Sequence, residues 1–198
     1  MRIKEALESG QIGNVVLVKS NTREPAPDPS RWPDTKTSGG IFFDMCGHDY
    51  DVVRWICGSE VSRVMADGSP RSQPDQHTAI TNLYLANGVV AQIDATRMVN
   101  YGYDAKVELV GTKGSIFTRP DAASEFRVLN GPQESIGVYS GYADRFRDAY
   151  RLEMESFVNS IVQDTDTKVT AHDGKAAVEI AAAAKKSMED GKAVNLPL

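Results

Sequence analysis

Apolar and polar positions change period several times along the chain. Residues 2–9 (RIKEALES) keep helical spacing and stop at Gly10, and residues 14–21 (NVVLVKSN) are β-branched, so a short helix feeds a strand. Residues 22–34 (TREPAPDPSRWPD) carry four prolines in thirteen positions, which neither regular element accepts, and predict an extended surface segment. A long loop of this kind inside a domain is often functional. From Gly40 the period turns helical. Phe43, Tyr50, Val53, Trp55 and Ile56 form an apolar stripe with Gly58 as its stop, predicting one helix over about 43–57.

Strand patterns follow without helices between them, at 62–68, 78–86, 89–97, 105–111, 115–118 and 125–129. Asn87-Gly88 is a strong hairpin signal, and Lys113-Gly114 turns another pair. The C-terminal third returns to helix over 142–163, where Phe146, Tyr150, Met154, Phe157, Val158 and Ile161 repeat at steps of three or four and predict a buried face. A second helix starts near Asp173 as N-cap and runs through 174–190 to Gly191, its Ala-rich face allowing close packing. Residues 1–198 are therefore expected to form a single α+β domain, an open, mostly antiparallel sheet with helices packed on one face. The strands carry apolar residues at both parities, so the uncovered face is expected to pair with another copy as a homo-oligomer.

The composition, with 41% hydrophobic and 25% charged residues, is that of a folded domain. A net charge of −5 with no cluster of Lys and Arg argues against nucleic acid as a partner. No apolar run is long enough for a membrane span, and the charged start lacks the apolar stretch of a signal peptide, which makes a cytoplasmic location the expectation. Cys46 and Cys57, eleven residues apart in one predicted helix, would lie roughly 16 Å from each other. That is beyond bridging distance, so both are expected as free thiols.

The chemistry concentrates in SGGIFFDMCGHDYD, residues 38–51. Asp44 and His48 stand at i and i+4 of the predicted helix, on one face and one turn apart. A carboxylate beside an imidazole selects its tautomer and raises its proton affinity, leaving the His able to take a proton from a hydroxyl. The plain alternative is that Asp44 caps or pairs near the helix start and His48 is an ordinary, partly buried histidine. The same spacing also suits a divalent cation, although only two convergent ligands are visible and His77 and His172 have no ligand spacing around them. Asp49 and Asp51 extend the acidic run, but neighbouring positions on a helix point to different faces, so they need not join the pair. The sequence holds no G-x-G-x-x-G, Walker or G-x-S-x-G run, so neither a phosphate cradle nor a nucleophile elbow is present.

SGGIFFDMCGHDYDVVRWICG resembles the signature helix of the Gfo/Idh/MocA oxidoreductases. The likeness extends over nearly the whole chain: the Gly10-x-Ile12-Gly13 turn, the strand VVLVKS, Glu153-x-x-x-Phe157, the Ala-rich final helix and the Gly191-Lys192-x-Val194 tail follow in the family's order. TREPAPDPSRW, residues 22–32, is similar to the Arg-x-Pro-x-Pro-x-Pro segment of its inositol 2-dehydrogenase branch. The resemblance implies the C-terminal domain fold of a glucose-fructose oxidoreductase-like protein. It also implies His48 as the catalytic acid/base, Asp44 as its orienting carboxylate, and segment 22–34, with Arg23, in the pocket wall against a cyclic polyol or sugar. Tyr142 and Arg145 are weaker candidates for substrate hydroxyls, their other reading being solvent-facing residues at a helix start.

Family members carry a Rossmann domain with the dinucleotide fingerprint, and a Glu-Lys-Pro segment whose lysine completes the catalytic trio. This chain has neither. The expectation is therefore the substrate-binding and acid/base half of an NAD(P)-dependent dehydrogenase that oxidises a secondary hydroxyl to a ketone. NAD or NADP would serve the complete family member and not bind this chain, which alone would be inactive. A non-catalytic polyol-binding or oligomerisation module is the alternative.

Overall fold

Ile3 and Leu7 lie one turn apart on α1 (Arg2–Glu8) and lean on the core, and the turn through Gly10 and Gly13, both at positive φ, delivers the chain into β1 (Val15–Pro25). The computed structural model describes residues 2–26, 35–69, 77–118, 127–130 and 133–198. After α2 (Thr35–Ser38), α3 (Ile41–Asp44) and α4 (Cys46–Cys57) come β2 (Val61–Ser69), β3 (Thr78–Leu85), β4 (Val90–Val99), β5 (Asp104–Gly111) and β6 (Ser115–Phe117). β7 (Arg127–Asn130) and β8 (Gln133–Ile136) form a separate two-stranded ribbon, and α5 (Tyr142–Arg145), α6 (Arg147–Gln163), α7 (Ala171–Asp190) and β9 (Val194–Asn195) complete the chain.

Seven strands make one open sheet in the order β6-β5-β1-β4-β3-β2-β9. Every pairing is antiparallel except β1 with β4, so the sheet is mixed rather than uniformly antiparallel. Alternation assigns the faces. Val18, Ser20 and Thr22 of β1, Thr81 and Leu83 of β3, and Ala91, Ile93, Ala95 and Arg97 of β4 are buried on the side that carries α3, α4 and α7. Lys19, Asn21 and Arg23, with Ile80, Tyr84, Gln92 and Asp94, occupy the uncovered side. Tyr50, Val53 and Ile56 of α4 and Ile180, Ala181, Ala183 and Ala184 of α7 close the core, the alanines allowing α7 to lie against β2 and α4.

Both glycine turns expected between strands are present. Asn87 Oδ1 accepts from the Val89 amide while Gly88 takes a positive φ, and the Gly111 amide donates to the Gly114 carbonyl across the Lys113-Gly114 turn. Gly58 and Gly191 end their helices in the left-handed region. Cys46 and Cys57 are free, the first buried.

Several expectations are corrected. The proline-rich segment is strand as far as Pro25, because β1 is flanked by β4 and β5 and both neighbours draw its backbone into pairing. Its remainder at 27–34 lies outside the described residues, as does the start of the strand expected at 125–129. The single helix over 43–57 is two helices separated at Met45, and that over 142–163 is broken at Phe146. Trp55 is exposed and receives Lys4 over its ring instead of joining the core. The face expected to be buried on α6 is exposed, with Ile161 at 65%, Met154 at 59% and Phe157 at 50%. Asp173 is not the N-cap of α7: Thr170 is, and Asp173 is the returning acid of a capping box.

Candidate active site

α4 is fixed to the sheet by polar contacts on its inner side. Asp49 is buried and takes hydrogen bonds from Ser20 Oγ and, at 3.1 Å, from Thr22 Oγ1, so one carboxylate joins the helix to two consecutive inward positions of β1. One residue on, the Tyr50 hydroxyl is 3.0 Å from Thr81 Oγ1 of β3. Arg54, also buried, donates to Glu60 from Nε at 2.8 Å and from Nη2 at 2.7 Å. These anchors set the rotation of α4 and turn His48, in its first turn, outward to solvent.

Asp44 is the last residue of α3, just before the break at Met45, so it and His48 flank the junction of two short helices rather than sharing one. Its hydrogen bond does not go to His48. Asp44 Oδ2 accepts from Arg97 Nη2 at 2.5 Å, and Arg97 reaches it from an inward position of β4, only 2% exposed. Glu24, near the end of β1, belongs to the same group. Burial raises its carboxyl above the ordinary carboxylate range against the pull of the Arg97 guanidinium, while Asp44 adds to the rise and His48 opposes it.

Tyr103 closes the other side. Its ring meets Phe146 edge-on at 5.7 Å, its backbone amide donates to the Tyr139 carbonyl, and burial raises its phenol well above the ordinary value, with Glu24, Asp49 and Tyr150 adding to the rise and Arg145 opposing it. Arg145 lies over the Tyr139 and Phe146 rings, so its cation stands beside the same phenol.

The structure thus brings together Asp44 and His48, with Arg145 alongside through Tyr103. It does not bring in Arg23, whose guanidinium pairs with Asp94 and donates to the Asp94 carbonyl at 2.9 Å on the uncovered side of the sheet, opposite His48. Tyr142 is exposed at the start of α5. Glu24, Arg97 and Tyr103 were not singled out from the sequence. Parity holds the signal for two of them: Arg97 follows Ala91, Ile93 and Ala95 at steps of two, and Glu24 follows Val18, Ser20 and Thr22, so each is a charge on an inward-facing row.

An exposed imidazole, a carboxylate held by a guanidinium, a second carboxylate of raised proton affinity and a phenol that stays protonated make up a surface able to accept and donate hydrogen bonds to several hydroxyls at once and to take one proton. No three His, Cys, Asp or Glu side chains converge for a metal among the described residues.

The family model described as the C-terminal alpha/beta domain of an oxidoreductase family, GFO_IDH_MocA, matches residues 4–196. The chain belongs to the Gfo/Idh/MocA oxidoreductases. Among its relatives, the myo-inositol 2-dehydrogenase of Thermotoga maritima is 37% identical over 98% of this chain and 60% of its own length. The scyllo-inositol 2-dehydrogenase (NAD(+)) of Bacillus subtilis is 30% identical over 98% of this chain and 58% of its own. A solved structure of scyllo-inositol dehydrogenase from Lactobacillus casei, with bound cofactor NAD(H) and scyllo-inositol, superposes with a TM-score of 0.89 at 29% identity, covering 98% of this chain and 60% of that one.

The chain therefore spans about 60% of the length of these Gfo/Idh/MocA relatives. Among the described residues one strand pair is parallel, β1 with β4, with β2 and β3 between its members in the chain, and the sequence holds no G-x-G-x-x-G run.

Proposed function

We propose that this chain is the substrate-binding and acid/base half of an NAD(P)-dependent dehydrogenase acting on an inositol or a related cyclic polyol. The observation that carries the reading is the gathering of Asp44 and His48 with Glu24, Arg97 and Tyr103 near the C-terminal ends of β1 and β4 on the covered sheet face, in a fold whose similar relatives are named as inositol dehydrogenases. His48 takes the hydroxyl proton as the carbon becomes a ketone, Asp44 accepts a hydrogen bond from a hydroxyl of the same ring, and Arg145 and Tyr142 contact hydroxyls farther along. The hydride acceptor, a nicotinamide, belongs to a nucleotide-binding domain that these residues do not provide. Arg23 is assigned no contact with substrate, since it stands on the opposite face.

Calorimetry with myo-inositol and scyllo-inositol tests this reading. Saturable heats are expected with the unaltered chain, and their loss with His48→Ala or Asp44→Asn. Absence of heat with any polyol or sugar, from a chain with its far-ultraviolet spectrum intact, would leave the assembly module instead. NAD reduction is expected only when the chain is combined with a nucleotide-binding domain.

The uncovered sheet face supports a second proposal, self-association. Ile80, Val90, Met98 and Tyr84 lie there among charges that are already neutralised, as in the Arg23–Asp94 pair, and Arg63 stacks on Tyr84 at 3.9 Å. Sedimentation of the chain at micromolar concentration is expected to give a dimer or larger species, and a monomer would count against it.

A further inference from the structure

Arg97 sits where the sheet has no packing need for a charge. The inward row of β4 is otherwise Ala91, Ile93 and Ala95, and a guanidinium buried among such residues is costly unless it is paired. Asp44, to which it donates, is in the opposite situation: the side chain is 49% exposed, at the end of a four-residue helix and next to a backbone break. A carboxylate so placed has several rotamers open to it in water. The charge-assisted bond at 2.5 Å removes that freedom by tying Oδ2 to a central strand that is paired on both sides, and it engages one carboxylate oxygen of the two. Glu24 stands on the strand beside it, since β1 and β4 pair in parallel with Arg23 opposite Thr96, and its electrostatic coupling to both Arg97 and Asp44 makes the arrangement one positive charge shared by two carboxylates.

We infer that Arg97 is a positioning residue for the polyol site, holding Asp44 in the orientation that accepts a substrate hydroxyl. This rests on the function proposed above. Arg97 acts from a buried position: its work is to fix Asp44 and to offset part of the repulsion between the Asp44 and Glu24 carboxylates.

The test has two independent readouts on the 198-residue chain. In the first, nitrogen-labelled arginine is followed by NMR. The Arg97 terminal nitrogens are expected to give separate resonances, reflecting blocked rotation, which broaden or merge in Asp44→Asn. A freely rotating Arg97 in the unaltered chain overturns the inference whatever the ligand. In the second, myo-inositol binding is measured for Arg97→Gln, Asp44→Asn and the double variant. Each single change is expected to weaken binding by about tenfold or more, and the double change by no more than the larger of the two, since both remove one device. Arg97→Lys, which keeps the charge but not the planar fork, is expected to fold normally and bind at an intermediate strength. Independent, multiplicative losses, or unchanged binding by Arg97→Gln, would show a merely structural arginine. A locked Arg97 in a chain that binds no polyol would retain the Asp44 anchoring and reject the proposed substrate.

Discussion

Asp49→Asn changes a single proton site beneath the helix that presents His48, and its consequence depends on pH in a direction that can be worked out. Burial raises the Asp49 carboxyl above its ordinary value of 3.8, against the hydrogen bonds from Ser20 and Thr22, which favour the charged form. The folded chain therefore holds this proton more tightly than the unfolded chain does. The contribution to stability is complete below the unfolded value and is lost as pH rises through the raised folded value, at about 1.4 kcal/mol for each unit between the two. Asparagine has the same shape, keeps one acceptor for the two hydroxyls and does not titrate. At pH 4 the variant is expected to lie within about 1 kcal/mol of the parent, and as pH rises from there through the raised folded value the balance should move in its favour and then level off. Urea unfolding followed by circular dichroism across that range measures it, with Asp49→Ala as the control. Alanine strands Ser20 and Thr22, at about 1–3 kcal/mol for each hydroxyl left without an acceptor. If the parent instead gains on Asp49→Asn as pH rises, the two hydroxyls outweigh burial and the reasoning fails.

Three further outcomes are expected. Gly111→Ala places a methyl carbon 2.1 Å from the Ile12 carbonyl oxygen, a backbone atom that cannot step aside, and should lower stability by about 1–3 kcal/mol in urea melts with the circular dichroism spectrum retained. Burial lifts the Cys57 thiol to about 11 and the Cys46 thiol higher still, so at pH 8 a thiol reagent should label Cys57 slowly and Cys46 only as the chain unfolds; rapid and equal labelling would contradict the burial described. Backbone amides of α6, whose apolar stripe is uncovered, should exchange hydrogen well before those of α7, which packs on β2 and α4, as read by mass spectrometry of peptides from the two helices.

Much of this architecture is written locally. Asn87-Gly88, Gly58 and Gly191 specify turns and stops through backbone conformations that few other residues accept, and those positions hold in the fold. What local pattern does not carry is partnership. Pro25 and its neighbours read as loop because nothing in residues 22–25 shows that β4 and β5 will flank them. The stripe on α6 has a sound helical period, yet period says only that a face is apolar and not that this chain covers it. At the site, i and i+4 spacing drew Asp44 and His48 together, whereas the bond that Asp44 makes comes from a residue 53 positions away. Arg23 looked like pocket wall by motif, and the twofold alternation of a strand puts it on the far side. The inward charges Glu24 and Arg97 were legible by the same alternation, once the rows that face the helices are identified.

β4 and β5 are consecutive in sequence and separated in the sheet, because β1 lies between them. Left to themselves, two neighbouring strands tend to zip into a hairpin within microseconds, whereas β1 must close a loop of some seventy residues to meet β4. The order of assembly therefore has a hazard built into it: a β4–β5 hairpin that forms early occupies both edges on which β1 depends, and must open before folding can finish. Since Ser20, Thr22 and Glu24 arrive on β1 while Arg97 waits on β4, the candidate site is completed only when that long-range pairing forms, and a chain stalled at this point would contain most of its helices without that cluster of side chains.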